Sequence, residues 1–161
     1  MTDQDKQHWV FRAHVADRAG ALTSIASAFS NEGVSIDTVV GHGTVEQAGI
    51  DGSVVLTFYC SEKDKDKMVR KVKRLSKVHA LEEKPYESQS LRKAVIARTV
   101  RQLIPRDVAG ERSFLTTEEV GHDARGYTYL LAGSPSELDQ VLDRLEGAGV
   151  IRDLVYSVLS L

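Results

Sequence analysis

Residues 15–37, VADRAGALTSIASAFSNEGVSID, constrain the fold more than any other part of the chain. They join an apolar strand ending near Ala16, a turn at Asp17-Arg18-Ala19-Gly20, a short amphipathic helix and a second strand. Leu22, Ile25, Ala26 and Phe29 recur at i, i+3, i+4 and i+7, one apolar stripe at the helical period. Gly33 follows the last periodic turn, where a left-handed residue ends a helix. The turn is where chemistry is expected. Ala19-Gly20-Ala21 carries no bulky side chain, so the first free N–H groups of the helix stay open to a carboxylate or phosphate, with the positive end of the macrodipole behind them. A tight strand-to-helix turn with no ligand accounts for the same residues equally well. Nothing in this stretch has the make-up of a catalytic centre.

The rest of the first half follows in order. Residues 9–16 (WVFRAHVA) alternate Trp9, Phe11, Ala13 and Val15 against Val10, Arg12 and His14, the period of two of a half-buried strand. Residues 34–41 read as the second strand, and Gly41, Gly43, Gly49 and Gly52 punctuate a loop or irregular hairpin after it. Residues 53–60 (SVVLTFYC), dense in β-branched and aromatic side chains, are the third strand. Ser61 with Asp64 has the form of a capping box and opens a helix whose apolar face is Met68, Val69, Val72 and Leu75. Residues 78–83 close the unit as a fourth strand, with a connector around Pro85. The order β-α-β-β-α-β predicts a ferredoxin-like α+β unit, a four-stranded antiparallel sheet with both helices on one face.

The second half repeats this ending. Ser134-Pro135-Ser136-Glu137 is another capping box, with proline at the first helical position, and Leu138, Val141, Leu142 and Leu145 form the stripe. A shift of about 73 positions lays Ser61, Met68, Val69, Val72 and Val78 on Ser134, Val141, Leu142, Leu145 and Ile151. Strands are expected at 91–100, 127–132 and 150–159, which makes the chain an internal duplication. Between Arg101 and Gly126 the second copy loses its pattern. Pro105 starts a short helix through Leu115 with Gly110 in its middle, and the Asp17-to-Gly20 turn has no counterpart. The expected organisation is a tail over 1–8, a domain over 9–84, a linker over 85–90 and a second domain over 91–161.

Composition narrows the function classes. With 42% hydrophobic and 27% charged residues in 161, the chain reads as a soluble globular protein. A net charge of -2 provides no field for nucleic acid or an anionic membrane. The single cysteine, Cys60, fits a reducing cytoplasm and a small core residue. No apolar run reaches the roughly 18 residues of a membrane span, and MTDQDKQ is polar where a signal peptide would be basic and then apolar. His8, His14, His42, His79 and His122 stand apart, with no partner at a metal-ligand spacing. Gly41-His42-Gly43 is too short for a phosphate loop, no serine lies in a nucleophile elbow, and the lysine-rich helix near 62–77 reads as a solvated face. No catalytic residue, metal site or cofactor is expected.

DRAGALTSIASAFSNEGVSID resembles the strand–turn–helix–strand signature of the ACT domain, a small-molecule-sensing module of amino-acid metabolism. LRKAVIARTV and YTYLLAGSPSELDQVLDRLEGAGVIRDLVYSVLSL resemble the C-terminal domain of the regulatory (small) subunit of acetolactate synthase. The resemblance runs from about Trp9 to Leu161 and thins over 46–52 and 101–126. It implies a non-catalytic subunit that forms a homodimer through its ACT sheets and holds valine, leucine or isoleucine at the interface. It also implies a large catalytic, thiamine-diphosphate partner. The implied effector-binding positions are Asp17, Gly20, Ala21 and Leu22, then Ser35, Ile36 and Asp37. The family has asparagine where this chain has Asp17 and Ser35, and its serine-arginine pair entering the third strand is replaced by Gly52-Ser53-Val54. Asp17 repels a carboxylate and attracts an ammonium group. A stand-alone tandem ACT sensor, or one given new work in a biosynthetic cluster, is the alternative, favoured by the unusual 41–52 loop.

Overall fold

The alternation of the first strand is realised in β1, Gln7–Val15, which turns Phe11, Ala13 and Val15 into a core. The structure, a computed structural model, describes residues 6–16, 20–43, 52–109 and 115–160, and the chain divides into units over 1–88 and 89–161. In the first unit β1 lies between β3 (Gly52–Cys60) and β4 (Val78–Pro85), with β2 (Ile36–His42) outside β3 and every joint antiparallel. Helices α1 (Ala21–Asn31) and α2 (Glu62–Lys73) pack on one face, where Ile25, Phe29, Met68 and Val72 meet Phe11, Leu56 and Phe58. Phe29 and Phe58 approach edge to face at 4.8 Å between centroids, the arrangement that ring quadrupoles favour.

Helix ends explain two departures from the sequence reading. Helix α1 buries Ala21, Ile25 and Phe29, whereas Leu22 is 45% exposed, so the stripe lies one position away from the expected one at its start. At the other end Val34 N–H donates to Phe29 O and Gly33 N–H to Ser30 O, the paired bonds of a Schellman closure. That closure takes up Val34, and β2 starts at Ile36 instead of 34. Helix α2 opens as expected: Ser61 Oγ accepts from Asp64 N–H at 3.1 Å and donates to the Asp64 carboxylate at 2.8 Å.

The second unit repeats the topology with β5 (Leu91–Thr99), β6 (Thr116–Asp123), β7 (Gly126–Gly133) and β8 (Ile151–Ser160) in the order β6-β7-β5-β8. Its helix α3, Pro135–Gly147, buries Leu138, Val141, Leu142 and Leu145, the predicted stripe. The duplication extends to an irregularity. Pairing shifts between His14 and Val15 on β1 against β4, and between Arg98 and Thr99 on β5 against β8.

Beyond that shift, Val15 faces Val78 and Thr99 faces Ile151, spans of 63 and 52 positions. The second span is eleven residues shorter, four of them between the first strand and the second (Val15 to Ile36 against Thr99 to Thr116) and the rest after it. Among the described residues no α-helix stands in the place of α1. Of the helix expected from Pro105 to Leu115, residues 110–114 lie outside those described, the start is a 3₁₀ turn, Pro105–Asp107, and Leu103, Val108 and Leu115 pack against Val141, Leu145 and Val150. Asp107 pins this segment. It accepts from both Arg101 guanidinium nitrogens, at 2.7 and 3.1 Å, and from Ile104 N–H at 2.9 Å, and these bonds hold its carboxyl down to about 2.

Candidate functional site

The turn half of the sequence-derived site gathers at the end of β1. Asp17 lies outside the described residues. Gly20 caps α1 with φ +86°, a left-handed conformation that suits glycine, and supplies no side chain to the helix N-terminus. Its carbonyl accepts from both the N–H and the hydroxyl of Ser24 at 2.9 Å, so the first intrahelical donor is three residues beyond Ala21. The earlier N–H groups have no partner within the helix, as at any helix start. Leu22, exposed on that first turn, flanks them. One neighbour has no counterpart in the sequence reading. The Lys77 ammonium lies 2.8 Å from where a Cβ on Gly20 would stand, and Lys77 O accepts from Ala16 N–H at 3.1 Å. A cation and a helix N-terminus thus share this end of the sheet.

The strand half is built by a bulge. Pairing of β2 with β3 shifts between Ile36 and Thr38, and Asp37 is the residue at the shift. Its Oδ2 accepts from Thr57 Oγ1 at 3.1 Å, Thr57 and Thr38 hydroxyls stand 2.7 Å apart, and His8 Nε2 is 3.6 Å from the same carboxylate oxygen. Ile36 packs against the core and Ser35 is exposed beside it. A cavity of about 480 Å³ opens here, lined among others by Glu32, Ser35, Asp37, Tyr59, Asp64 and Lys67. Its size falls in the range of small-molecule sites.

The two halves do not meet within one unit. Ile36 and Trp9 both stand opposite Phe58, whereas Val15 stands opposite Gly52. Six strand residues separate the two levels, about 20 Å along the sheet. Helix α1 spans the same interval, with its start at one half and its end at the other. The expected effector-binding positions Gly20–Leu22 and Ser35–Asp37 therefore lie at opposite ends of the same sheet.

Other reactive groups are occupied structurally. Burial, with Asp64 nearby, pushes the Cys60 thiol up to about 11, so it is a core residue and not a nucleophile at neutral pH. His14 bonds Glu82 at 2.6 Å, His42 bonds Ser53 at 2.8 Å, and His122 bonds Glu119 at 3.2 Å. Glu82 is held below the usual carboxylate range, first by the His14 bond. Sequence reasoning missed His8, Thr57, Tyr59 and Lys77 at the two halves, since each reaches its place through strand register or a distant turn.

Two four-stranded antiparallel sheets in the orders given, with α1 and α2 on one face of the first and α3 packed on the second, make a tandem ferredoxin-like fold. Among solved structures, the acetolactate synthase small subunit from Thermotoga maritima superposes with a TM-score of 0.66 at 12% identity, covering 97% of this chain and 96% of that one. The aspartate kinase of Clostridium acetobutylicum superposes with a TM-score of 0.50 at 15% identity, covering 89% of this chain and 32% of the kinase. At such identities the likeness is one of fold. No family model and no curated protein matches the sequence. Among the described residues no helix is long and apolar enough to cross a membrane.

Proposed function

We propose that the chain is a non-catalytic regulatory subunit that binds a small amino acid and modulates an acetolactate-synthase-type, thiamine-diphosphate enzyme. The effector sits between two copies of the chain. Asp17, and the helix N-terminus at Gly20, Ala21 and Leu22, come from one copy, and Ser35, Ile36 and Asp37 of the second provide the strand side. The observation that carries this reading is the separation of the two sets of residues within one sheet; a two-fold axis between copies would join them into two equivalent sites at once. The fold shared with an acetolactate synthase small subunit over nearly the whole chain supports the choice of partner. Valine, leucine and isoleucine are the effectors that the resemblance implies.

A thermal-shift screen of all twenty amino acids tests the reading. At about 100 times the dissociation constant the linked stabilisation is roughly 2.7 kcal/mol, several degrees for units of this size. A branched-chain shift, together with co-purification of a large catalytic subunit, is the expected result. No shift with any amino acid overturns the effector, and a shift without a captured partner leaves a free-standing sensor.

A further inference from the structure

We propose that the outer face of α2 in one copy of the chain docks on the outer face of α3 in a second copy, with Arg70 and Lys73 set against Asp143 and Glu146. The two helices hold equivalent places in the duplicated units. Met68 and Val72 are buried under α2 as Val141 and Leu145 are under α3, at the shift of about 73 positions that relates the halves. The same shift lays Arg70 on Asp143 and Lys73 on Glu146, so cations in the first unit stand where carboxylates stand in the second. All four side chains are exposed. Each pair is spaced i, i+3, so its two charges share one face of their helix. Two crossing helices therefore bring both pairs together whichever way they run.

Their own units do not use these four charges. On α2, Lys65 pairs with Asp66 and Glu83, Lys67 with Asp64, and Lys71 with Glu32. On α3, Asp139 pairs with Lys93, and Arg144 donates to Ala109 O at 2.8 Å. Among the described residues Arg70, Lys73, Asp143 and Glu146 have no ion pair and no side-chain hydrogen bond. Cations in the last turn of α2 suit the negative end of the helix macrodipole and need no partner for that. Glu146 has no such reason, because it stands in the last turn of α3, where the macrodipole disfavours a carboxylate. A cation brought from outside offsets that cost. The occupant that fits is a second copy, since each copy carries both signs and a two-fold axis makes the contact twice. Exposed ion pairs are individually weak, so the contact rests on all of them together and is sensitive to salt. None of the four residues belongs to the expected effector positions, so this contact and the effector reading are tested apart.

The test is sedimentation equilibrium of the full chain, without effector, at about 50 and about 500 mM NaCl. Wild type is expected to associate about tenfold or more weakly at the higher salt. Arg70→Glu/Lys73→Glu makes both faces acidic, and Asp143→Lys/Glu146→Lys makes both basic. Each is expected to lose about tenfold or more at the lower salt. Mixed in equal amounts, the two variants meet with opposite charges at both contacts and associate as tightly as wild type, and the chain with all four changes does the same. Circular dichroism and Tm stay near wild type, since all four side chains are exposed. Association that ignores salt and both reversals overturns the proposal and leaves the α2 face to an acidic surface of another protein. Weakening that neither mixing nor combination restores overturns it too, since the two faces then do not meet each other. Should a reversal fail to fold, Arg70→Gln/Lys73→Gln and Asp143→Asn/Glu146→Asn are read instead. Each is then expected to associate at low salt as weakly as wild type does at high salt, and wild-type association in either overturns the proposal.

Discussion

Gly20 concentrates the demands on the turn in one residue. Its φ of +86° costs a side chain roughly 1–2 kcal/mol, and a Cβ there meets the Lys77 ammonium, the movable end of a flexible chain. Gly20→Asp is therefore expected to fold, because aspartate tolerates the left-handed region better than most residues and its carboxylate lies beside Lys77. It places negative charge and bulk where the effector carboxylate is proposed to dock. Circular dichroism should match wild type within a small loss of Tm, and calorimetry with the effector should be silent. Unchanged affinity would move the site away from the turn. Part of this was legible in the sequence: the small residues and the glycine named the turn. Lys77 was not, since the pairing of β1 with β4 and the backbone tie from Ala16 to Lys77 bring the two segments together. His8, Asp37 and Tyr59 were invisible as a group for the same reason, being scattered along the chain and joined by cross-strand register.

At the scale of elements, the duplication preserves interactions while exchanging their residues. In the first unit Lys65 of α2 lies 4.8 Å from the Trp9 ring centroid and pairs with Asp66 and with Glu83 of β4. In the second, Lys93 of β5 lies 3.9 Å from the Tyr156 ring centroid on β8 and pairs with Asp139 of α3. Trp9 and Lys93 hold equivalent places opposite Pro85 and Val158, so the cation has moved from helix to strand and the aromatic ring from the first strand to the last. Lys93 has a side chain 6% exposed and Asp139 one 36% exposed, which makes the pair asymmetric. Asp139→Ala strands a buried ammonium and is expected to cost on the order of 2 kcal/mol in urea unfolding. Lys93→Met leaves a carboxylate that water can reach and should cost much less. Equal costs would contradict this account of the cluster. Elements with one buried face were readable from sequence, as with α2, α3 and the strands of both cores. Strand β6 was not: nearly all of Thr116–Asp123 is exposed, so no apolar alternation marks it. The segment 100–109 was misread because Pro105 signals a helix start, while a tyrosine hydroxyl and an arginine–aspartate pair, all tertiary, hold it as a 3₁₀ turn: Tyr129 Oη accepts from Leu103 N–H at 3.1 Å, and Arg101 pairs with Asp107 at 2.7 Å.

For the molecule as a whole, the account makes the first unit the sensor and the second a relative without the turn. Among the described residues of the second unit no α-helix stands where α1 does, so they offer no counterpart of the N-terminus that a ligand carboxylate is proposed to use. On the proposed reading one chain offers two half-sites at opposite ends of one sheet, and effector binding depends on a second copy. The most direct measurement of that claim mixes two variants, each defective in one half. Gly20→Asp and Asp37→Lys homodimers are each expected to be silent in calorimetry with the amino acid that the thermal screen selects. After dissociation and re-association of an equimolar mixture, half of the dimers are mixed and each carries one intact site, so about a quarter of the wild-type binding capacity should return at wild-type affinity. A mixture as silent as its components would contradict a site shared between copies, and so would full binding by either variant alone.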